Sequence, residues 1–376
     1  MQLMVTDLTR RKLLNYTLSS TALLSLTLLS GCKDATKPVS KPALIGCCRT
    51  LQGHFAAAVI DKYGELVHQF PLPARGHGIT LQPNGTLAAI FSRRPGQYIQ
   101  IVNYNNGASW TVRAADPNRY FYGHGVFSAD GRYLYATEGE ALTSRGIIGV
   151  YELIDGLPKV AEFNGVGIGP HQMISVDEHT LAVAVGGIHT LGRIPQNLAS
   201  MQSALMYIDK RTGEIVDLAQ LANKHLSIRH LDVTADGNVI CGQQYKAKTD
   251  ITVPLVAMHR RNQSLQSLFG NDEQWQRFNH YISSVVSLDN YVLATSPRGN
   301  CYGIWNSNSG ELLEIKPLAD VSGATVINKQ WVLSSGSGNI AHVSITRQSR
   351  YNQTAIIWDN HWCSIPAAKL YHRNVT

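Results

Sequence analysis

A turn that recurs six times along the chain constrains the fold more than any other feature of the sequence. Each turn is preceded by one short strand and followed by another short, apolar strand. The turns end, 39 to 59 residues apart, at Gly85, Gly131, Glu178, Gly237, Asn290 and Lys329. Self-similar strand–turn–strand units at this period are typical of β-propellers, whose blades are four-stranded sheets. We therefore predict an all-β fold.

The number of blades depends on what the two ends of the chain contribute. Six units are visible directly, and residues 43–48, 54–61 and 65–71 predict three further strands. Residues 358–362 are expected to supply the innermost strand of that additional blade. A blade assembled in this way joins the chain ends and leaves few open sheet edges. We predict a seven-bladed β-propeller over residues 43–366, closed by N- and C-terminal strands, with six blades as the alternative.

The beginning of the chain resembles an export signal. Residues 9–14, Thr-Arg-Arg-Lys-Leu-Leu, form a twin-arginine pattern, and residues 18–29 form an apolar stretch. That stretch is too short to span a membrane and remain there. Residues 1–31 are therefore predicted to be a signal peptide. Twin-arginine export, in which a domain crosses the membrane already folded, stands beside general secretion as the route.

Residues 29–32, Leu-Ser-Gly-Cys, resemble a lipobox at the end of the apolar stretch. Cleavage before Cys32 would leave that cysteine for lipid modification, which would anchor the protein to a membrane. Since Lys33 is not the aspartate that usually retains such proteins at the inner membrane, we expect a lipid-anchored periplasmic protein at the outer membrane. Residues 32–42 are expected to be a tether and residues 367–376 a polar tail. The alternative is an ordinary secretory signal with an incidental cysteine.

The charge and cysteine patterns argue against several function classes. The net charge is +7, but the 33 Lys and Arg residues are scattered, without a basic run that contains aromatic residues. This argues against a nucleic-acid partner. The five cysteines after Cys32 are odd in number and lack CxxC spacing, so they predict neither a redox pair nor an attached c-type haem.

A histidine stands near the start of the strand that precedes four of the turns. A fifth is expected in the blade built from both chain ends, whereas Ser283 and Ser322 take the corresponding place in the fifth and sixth units. In a propeller the innermost strands line a central channel, so we predict that these histidines face one channel mouth. The candidate ligand or metal-binding residues are His77, His124, His171, His230 and His361.

Long polar side chains stand near the ends of the strands that follow the turns. The two strands around each turn run antiparallel, so the end of the second lies at the same face as the start of the first. These side chains are therefore expected to form a second ring around the histidines. The residues are Arg93, Glu138, Gln243 and Arg298.

The histidines admit three interpretations. Imidazole nitrogens bind iron, copper and zinc readily, so a metal or cofactor site is the first, with iron or copper as the candidate ion. The second is a small-molecule pocket with polar histidines, and the third is a structural role in hydrogen bonding. Neutral histidine can also act as a general base, but no partner carboxylate is fixed by the sequence.

The chain resembles a bacterial family of periplasmic propellers labelled only as a domain of unknown function. The matching stretches cover residues 43–365 in order and include YGHGVFSADGRYLYATE, GIGPHQ, IRHLDVTADG, TSPRGN and WDNHW. Members are usually exported by the twin-arginine route and are encoded in iron-regulated clusters beside imelysin-type lipoproteins. No functional residue is established in that family. The resemblance therefore implies a setting, iron acquisition at the cell envelope, and no catalytic role for any side chain.

Three functions follow as expectations. The first is a lipid-anchored envelope propeller that binds a ligand, metal or partner protein in iron acquisition, without turnover of its own. Its partners would be the membrane, through the lipid, and other envelope iron-uptake proteins. The second is a periplasmic enzyme, an oxidoreductase or lactonase-like hydrolase, that uses the histidine-rich mouth. The third is a structural platform for protein interactions.

Overall fold

The computed structural model describes residues 40–191, 194–247 and 250–366. Seven four-stranded antiparallel sheets account for almost all of the regular structure of these residues. We number the sheets as blades 1 to 7 in the order in which they follow around the ring. The prediction of an all-β, seven-bladed propeller is confirmed, and the six-bladed alternative is not.

Blades 1 to 4 use the first seventeen strands, together with the last strand of the chain. Blade 1 contains β1 to β3, at Leu44–Arg49, Phe55–Ile60 and Leu66–Pro71. Blade 2 contains β4 to β7, at Gly76–Leu81, Leu87–Ser92, Tyr98–Asn103 and Ser109–Ala114. Blade 3 contains β8 to β11, at Arg119–Phe127, Tyr133–Glu140, Gly146–Glu152 and Lys159–Phe163. Blade 4 contains β12, β13, β16 and β17, at Pro170–Ser175, Thr180–Val185, Ala204–Asp209 and Ile215–Ala219. A small hairpin of β14 and β15, at Thr190–Leu191 and Ile194–Pro195, is inserted between its second and third strands.

Blades 5 to 7 and the closing strand complete the ring. Blade 5 contains β18 to β21, at Leu226–Val233, Val239–Tyr245, Val256–His259 and Gln266–Ser267. Blade 6 contains β22 to β25, at Ser284–Leu288, Tyr291–Ser296, Cys301–Asn306 and Leu312–Pro317. Blade 7 contains β26 to β29, at Val321–Ile327, Gln330–Ser335, Asn339–Val343 and Arg350–Gln353. The closing strand β30, Ile357–Ser364, pairs with β1 and is the innermost strand of blade 1, as the sequence predicted.

The innermost strands form a closed ring around the channel. In order they are β30, β4, β8, β12, β18, β22 and β26, each in contact with the next, and β26 contacts β30 again. Because the strand after each of them is antiparallel to it, inner strands begin and second strands end at one face of the disc. We call this face the entry face.

The core consists of seven apolar clusters, one between each pair of neighbouring blades. Strand β5 illustrates why its residues are almost all apolar. Ala88 and Ile90 pack against blade 1, whereas Ala89 and Phe91, which point to the other side of the sheet, pack against blade 3. Alternating side chains of a sheet covered on both faces are all buried, so such strands read as continuous apolar runs.

Helices are rare among the described residues. The sequence predicts helix over residues 271–281, but α1 covers only Asp272–Gln276. Asn271 and Gln274 form a capping box at its start. The helix ends early because the chain turns into positive φ at Asn279 and His280. No helix in the described part of the chain is long and apolar enough to cross a membrane.

The predicted signal peptide, the lipidation site at Cys32 and the polar tail lie outside the described residues, as does most of the tether. The cysteines that are described are free thiols, four of them buried. Burial raises the pKa of the Cys48 and Cys363 thiols to about 12, so both are protonated at neutral pH.

Candidate metal centre

Five histidines from five blades meet in the central channel. His77, His124, His171 and His230 come from β4, β8, β12 and β18, and His361 comes from the closing strand. The ring centroids of His124 lie 4.7 Å from His77, 4.6 Å from His171, 4.9 Å from His361 and 6.2 Å from His230. His124 is therefore the centre of one cluster, which we call the histidine cluster.

A register irregularity directs each of these side chains into the channel. The pairing of β4 with β5 shifts between Gly76 and Ile79, a segment that contains His77. Corresponding shifts occur beside His124, His171, His230 and His361 in their own blades. An extra residue in a strand breaks the ladder locally and re-aims the side chain it carries. The histidine side chains therefore depart from the regular pattern in which successive side chains point to opposite faces of the sheet.

Two glycines allow the inner strands to approach closely at the cluster. A Cβ on Gly78 would lie 2.4 Å from the carbonyl oxygen of Gly123 and 2.8 Å from the Nδ1 of His124. Gly123 has a φ of +97°, and a Cβ there would lie 2.7 Å from the ring of His77. Side chains at either position would push His77 and His124 apart. The Gly-His-Gly pattern of β4 and β8 thus follows from the packing of imidazole against backbone.

The imidazoles of the cluster are shielded from solvent and uncharged at neutral pH. His77, His124, His171 and His230 are at most 8 % exposed. Burial lowers the pKa of all five imidazoles, and it lowers the pKa of His361 to about 4. Neighbouring imidazoles lower the pKa of His77, His124, His171 and His230 further, because two cations at this distance repel. All five are therefore neutral at pH 7.

Several imidazole nitrogens in the cluster have no hydrogen-bond partner. These atoms are Nδ1 of His77, Nε2 of His124, Nδ1 of His171, both nitrogens of His230 and Nε2 of His361. Buried polar atoms are normally paired, so each such atom calls for an explanation. The Nδ1 of His361 does have a partner, the hydroxyl of Ser284 at 3.3 Å.

The nitrogens form two groups of three that share His124. One group is His77, His124 and His171, and the other is His124, His230 and His361. Within each group the ligand atoms lie within 4.8 Å of one another. A tetrahedral ion with metal–nitrogen bonds of about 2.1 Å holds its ligands roughly 3.4 Å apart. Displacements of the nitrogen atoms by about 1 Å would therefore bring either group to the spacing of metal ligands.

The comparisons with known proteins place the chain in a family. The family model described as "Protein of unknown function (DUF1513)" matches residues 70–365, which include all five histidines. The chain belongs to this family. Its description assigns no role to any residue. No curated protein matches the chain.

A solved structure supports the propeller fold of this family member. The structure is titled "Crystal Structure of Mitotic Checkpoint Complex", and the match covers 91 % of this chain and 89 % of that chain. The TM-score is 0.55, and the sequence identity is 13 %. At that identity the likeness concerns the fold alone.

The predicted second ring is only partly at the channel. Arg93 lies near the cluster, and its charge is among the causes, after burial, that lower the pKa of His77 and His361. Arg298 is exposed and lies over the ring of Tyr281, with its guanidinium carbon 4.5 Å from the ring centroid. Gln243 is fully buried and donates to the carbonyl oxygen of Cys241.

Glu138 does not join the histidines as the sequence analysis expected. Its side chain is 1 % exposed, accepts a hydrogen bond of 2.6 Å from the Tyr151 hydroxyl and forms an ion pair of 2.8 Å with Lys159. Lys159 also pairs with Asp116, which precedes β8. Through Tyr151 and Lys159 the carboxylate connects β9 with β10 and β11 within blade 3.

Sequence reasoning missed two cations beside the cluster. Arg229 directly precedes His230, and Lys246 directly follows β19. Arg229 is 4 % exposed and is among the charges that lower the pKa of His124, His171 and His230, after burial. The signal was present in the sequence, because Lys246 follows the end of a second strand as Arg93 does.

Proposed function

We propose that this protein binds one transition-metal ion, iron or copper, through the histidine cluster, and that it does so without catalytic turnover of its own. The observation that carries the proposal is the convergence of five imidazoles from five blades, four of them on buried residues. Six of their ring nitrogens have no hydrogen-bond partner in the protein.

The energetics of the cluster favour a ligand. A buried polar atom without a partner costs about 1–3 kcal/mol. A metal ion gives three or more of these nitrogens a partner at once. Imidazole ligands suit copper, iron, zinc and nickel, and they bind in the neutral form. The lowered pKa of each histidine supplies that form at pH 7 without loss of a proton on binding.

The carboxylates that an enzyme would use are engaged elsewhere. Glu138 is bound by Tyr151 and Lys159, and Glu140 accepts a hydrogen bond of 2.6 Å from the Thr143 hydroxyl. Neither belongs to the two groups of potential metal ligands in the described part of the chain. A general acid or base needs a group within hydrogen-bond reach of the reacting atoms. This supports binding over the oxidoreductase or hydrolase alternative.

The setting we propose is iron acquisition at the bacterial cell envelope, with envelope iron-uptake proteins as partners. It rests on the resemblance to iron-regulated periplasmic propellers and on the leader sequence. Lipid on Cys32 would hold the protein at the outer membrane. We expect the Cys32→Ser variant to appear in the soluble periplasmic fraction and to incorporate no labelled fatty acid. Unchanged membrane association of that variant would contradict the anchor.

Elemental analysis of the natively exported protein tests metal binding. Fe, Cu, Zn, Ni and Mn are quantified in protein purified without chelators and without metal-affinity resin. We expect about one equivalent of iron or copper per chain, and a higher melting temperature when that ion is returned to chelator-treated protein. Protein without bound metal, whose melting temperature is unchanged by iron and copper, would contradict the proposal.

Matched variants separate the cluster from other histidines. His124→Ala removes the residue common to both groups of three and should abolish bound metal while the protein remains folded. His54→Ala is the control, because His54 is exposed and lies in a loop of blade 1. Equal metal content in both variants would mean that the metal binds elsewhere. Unfolding of His124→Ala in metal-free buffer would favour a structural role for the histidines.

A further inference from the structure

Four cationic side chains stand at the entry face of the propeller. Arg94 follows β5, Lys246 follows β19 and Arg298 follows β23, and all three are second strands that end at this face. Arg229 belongs to the inner strand β18, which begins there. We call these four residues the cationic mouth.

Contacts with neighbouring residues fix the positions of these cations. Arg94 donates to the Thr190 hydroxyl at 3.5 Å, across to blade 4. Lys246 donates to the side-chain oxygen of Gln244 at 2.8 Å, and Gln244 pairs with Tyr281, over whose ring Arg298 lies. These contacts join blade 2 to the insertion of blade 4, and blade 5 to blade 6, at the channel entrance.

Arg229 is the most deeply placed of the four. It is 4 % exposed, and its Nε donates to the Ser227 hydroxyl at 2.8 Å. Ser227 donates in turn to the carbonyl oxygen of Gly186 at 2.9 Å. A Cβ on Gly186 would lie 2.8 Å from the guanidinium carbon, so the glycine makes room for the arginine. The guanidinium is therefore held in one position before any ligand arrives.

No carboxylate neutralises the cationic mouth among the described residues. None of its four members forms an ion pair within 4.0 Å. By contrast, Arg75, close to the same face, is held by Asp359 through two hydrogen bonds. Burial lowers the pKa of Lys246, and the charges of Arg229, Arg298 and Arg94 lower it further. Like charges are thus held close together, which is costly unless an anion is present.

We propose that the cationic mouth binds a small oxyanion, with at least two carboxylate or phosphate oxygens, at the entrance above the histidine cluster. Arginine recognises such oxygens through pairs of parallel hydrogen bonds, and lysine adds a point charge. A concave site lined by one sign of charge also raises the local concentration of the opposite ion. This site goes beyond metal binding, because its four residues are separate from the candidate metal ligands.

Calorimetric titration of the metal-free protein tests the site. Inorganic phosphate and citrate are titrated separately at low ionic strength, after the chelator has been removed. We expect saturable binding of at least one of them, at one site per chain, and weaker binding as salt increases. Binding of citrate alone assigns the site to carboxylates, and binding of phosphate alone assigns it to phosphates. Saturable binding of neither would overturn the proposal.

Three variants locate the bound anion. Lys246→Gln and Arg298→Gln should each weaken binding by about tenfold or more, since each removes a charge-assisted contact. Arg211→Gln is the matched control, an exposed arginine after β16, a third strand that ends at the opposite face. Equal affinities in all three variants would overturn the proposal. Arg298 is exposed, so its replacement is compatible with folding.

The failure of this proposal can be distinguished from the failure of metal binding. His124→Ala should lose metal and keep anion binding, because it leaves all four cations in place. Arg298→Gln should lose anion affinity and keep metal. Loss of anion binding in His124→Ala, measured on folded protein, would mean that the anion needs the histidines and that the cationic mouth is not a separate site.

Discussion

The inner ring of the propeller divides into two arcs that use the same place in the fold differently. Blades 1 to 5 bring a histidine to the channel, whereas blades 6 and 7 bring Ser283 and Ser322. The Ser283 hydroxyl donates to the carbonyl oxygen of Ser322 at 2.8 Å, so it connects neighbouring blades. The histidines leave six ring nitrogens without a partner. The serine arc is satisfied within the protein, and the histidine arc is not.

The hydrogen bonds of a repeated polar residue distinguish a structural role from a ligand-binding role. A structural role predicts that the side chain finds its partner in the next blade, as Ser283 does. The histidines would need such partners if they served only the fold, and buried polar atoms rarely lack them. The contrast between the two arcs therefore favours a bound ligand in the histidine arc.

Replacement of His124 should reduce metal affinity more than replacement of any other member of its arc. His124→Ala should weaken binding of the metal by more than about 100-fold, since even indirect partners of metal ligands contribute about 10–100-fold. His171→Ala should weaken it less, because the group of His124, His230 and His361 remains. Metal affinity of purified, metal-free protein, measured by competition with a chelator of known affinity, checks this order.

Ser283→Ala is the matched control from the other arc, and its metal affinity should equal that of the unmodified protein. Equal losses in His124→Ala and His171→Ala would contradict the shared position of His124. Such a result would instead indicate one site that requires every imidazole.

The second prediction concerns acid sensitivity of the metal-free protein. Burial lowers the pKa of His361 from 6.5 to about 4 in the folded state. Between these values the unfolded chain binds a proton that the folded chain does not, so stability falls as the pH falls. His361 alone should contribute a loss of about 3 kcal/mol between pH 7 and pH 4. Denaturant unfolding at a series of pH values measures it.

The acid sensitivity is expected to come from the histidine arc and not from the serine arc. Replacing one imidazole should therefore remove part of the dependence of stability on pH. His361→Leu should flatten the pH dependence, and His54→Leu, at an exposed position, should leave it unchanged. A pH dependence in His361→Leu as steep as that of the unmodified protein would mean that His361 does not contribute to the acid sensitivity.

Sequence reasoning reached the fold because the evidence for it repeats. Six turns with apolar strands around them fixed the blades, and the tryptophans near residue 360 indicated the closing strand. Strand β19 is one example. It follows the turn at Gly237, begins with apolar residues and is buried along its whole length. Its polar end, at Gln243 and Gln244, marks the entry face.

The geometry of the site could not be predicted in the same way. Whether His77 and His171 converge depends on register shifts of one residue in their strands, and no residue type signals a bulge unambiguously. For Glu138 the direction of the side chain could not be predicted. Its place at the end of a second strand suggested the channel, but the side to which it points was set by Lys159, a residue two strands away in the same blade.

His230 and Ser283, one residue from each arc, should differ in how their replacement changes stability, by about 1 kcal/mol in each case. His230 is 1 % exposed, and neither of its ring nitrogens has a partner. His230→Leu keeps a similar volume and removes two unsatisfied atoms, so the metal-free protein should become more stable by about 1 kcal/mol. Denaturant unfolding in the presence of a chelator measures the change.

Ser283→Ala should have the opposite sign. It removes the hydrogen bond to Ser322 and should destabilise the protein by about 1 kcal/mol. The Ser322 carbonyl oxygen keeps its second donor, the Thr295 hydroxyl at 2.6 Å, so no acceptor is left unpaired and the loss stays small. If His230→Leu also destabilised the metal-free protein, the imidazole would be part of the scaffold. Opposite signs would mean that the fold tolerates His230 at a cost in stability, which only a bound ligand can offset.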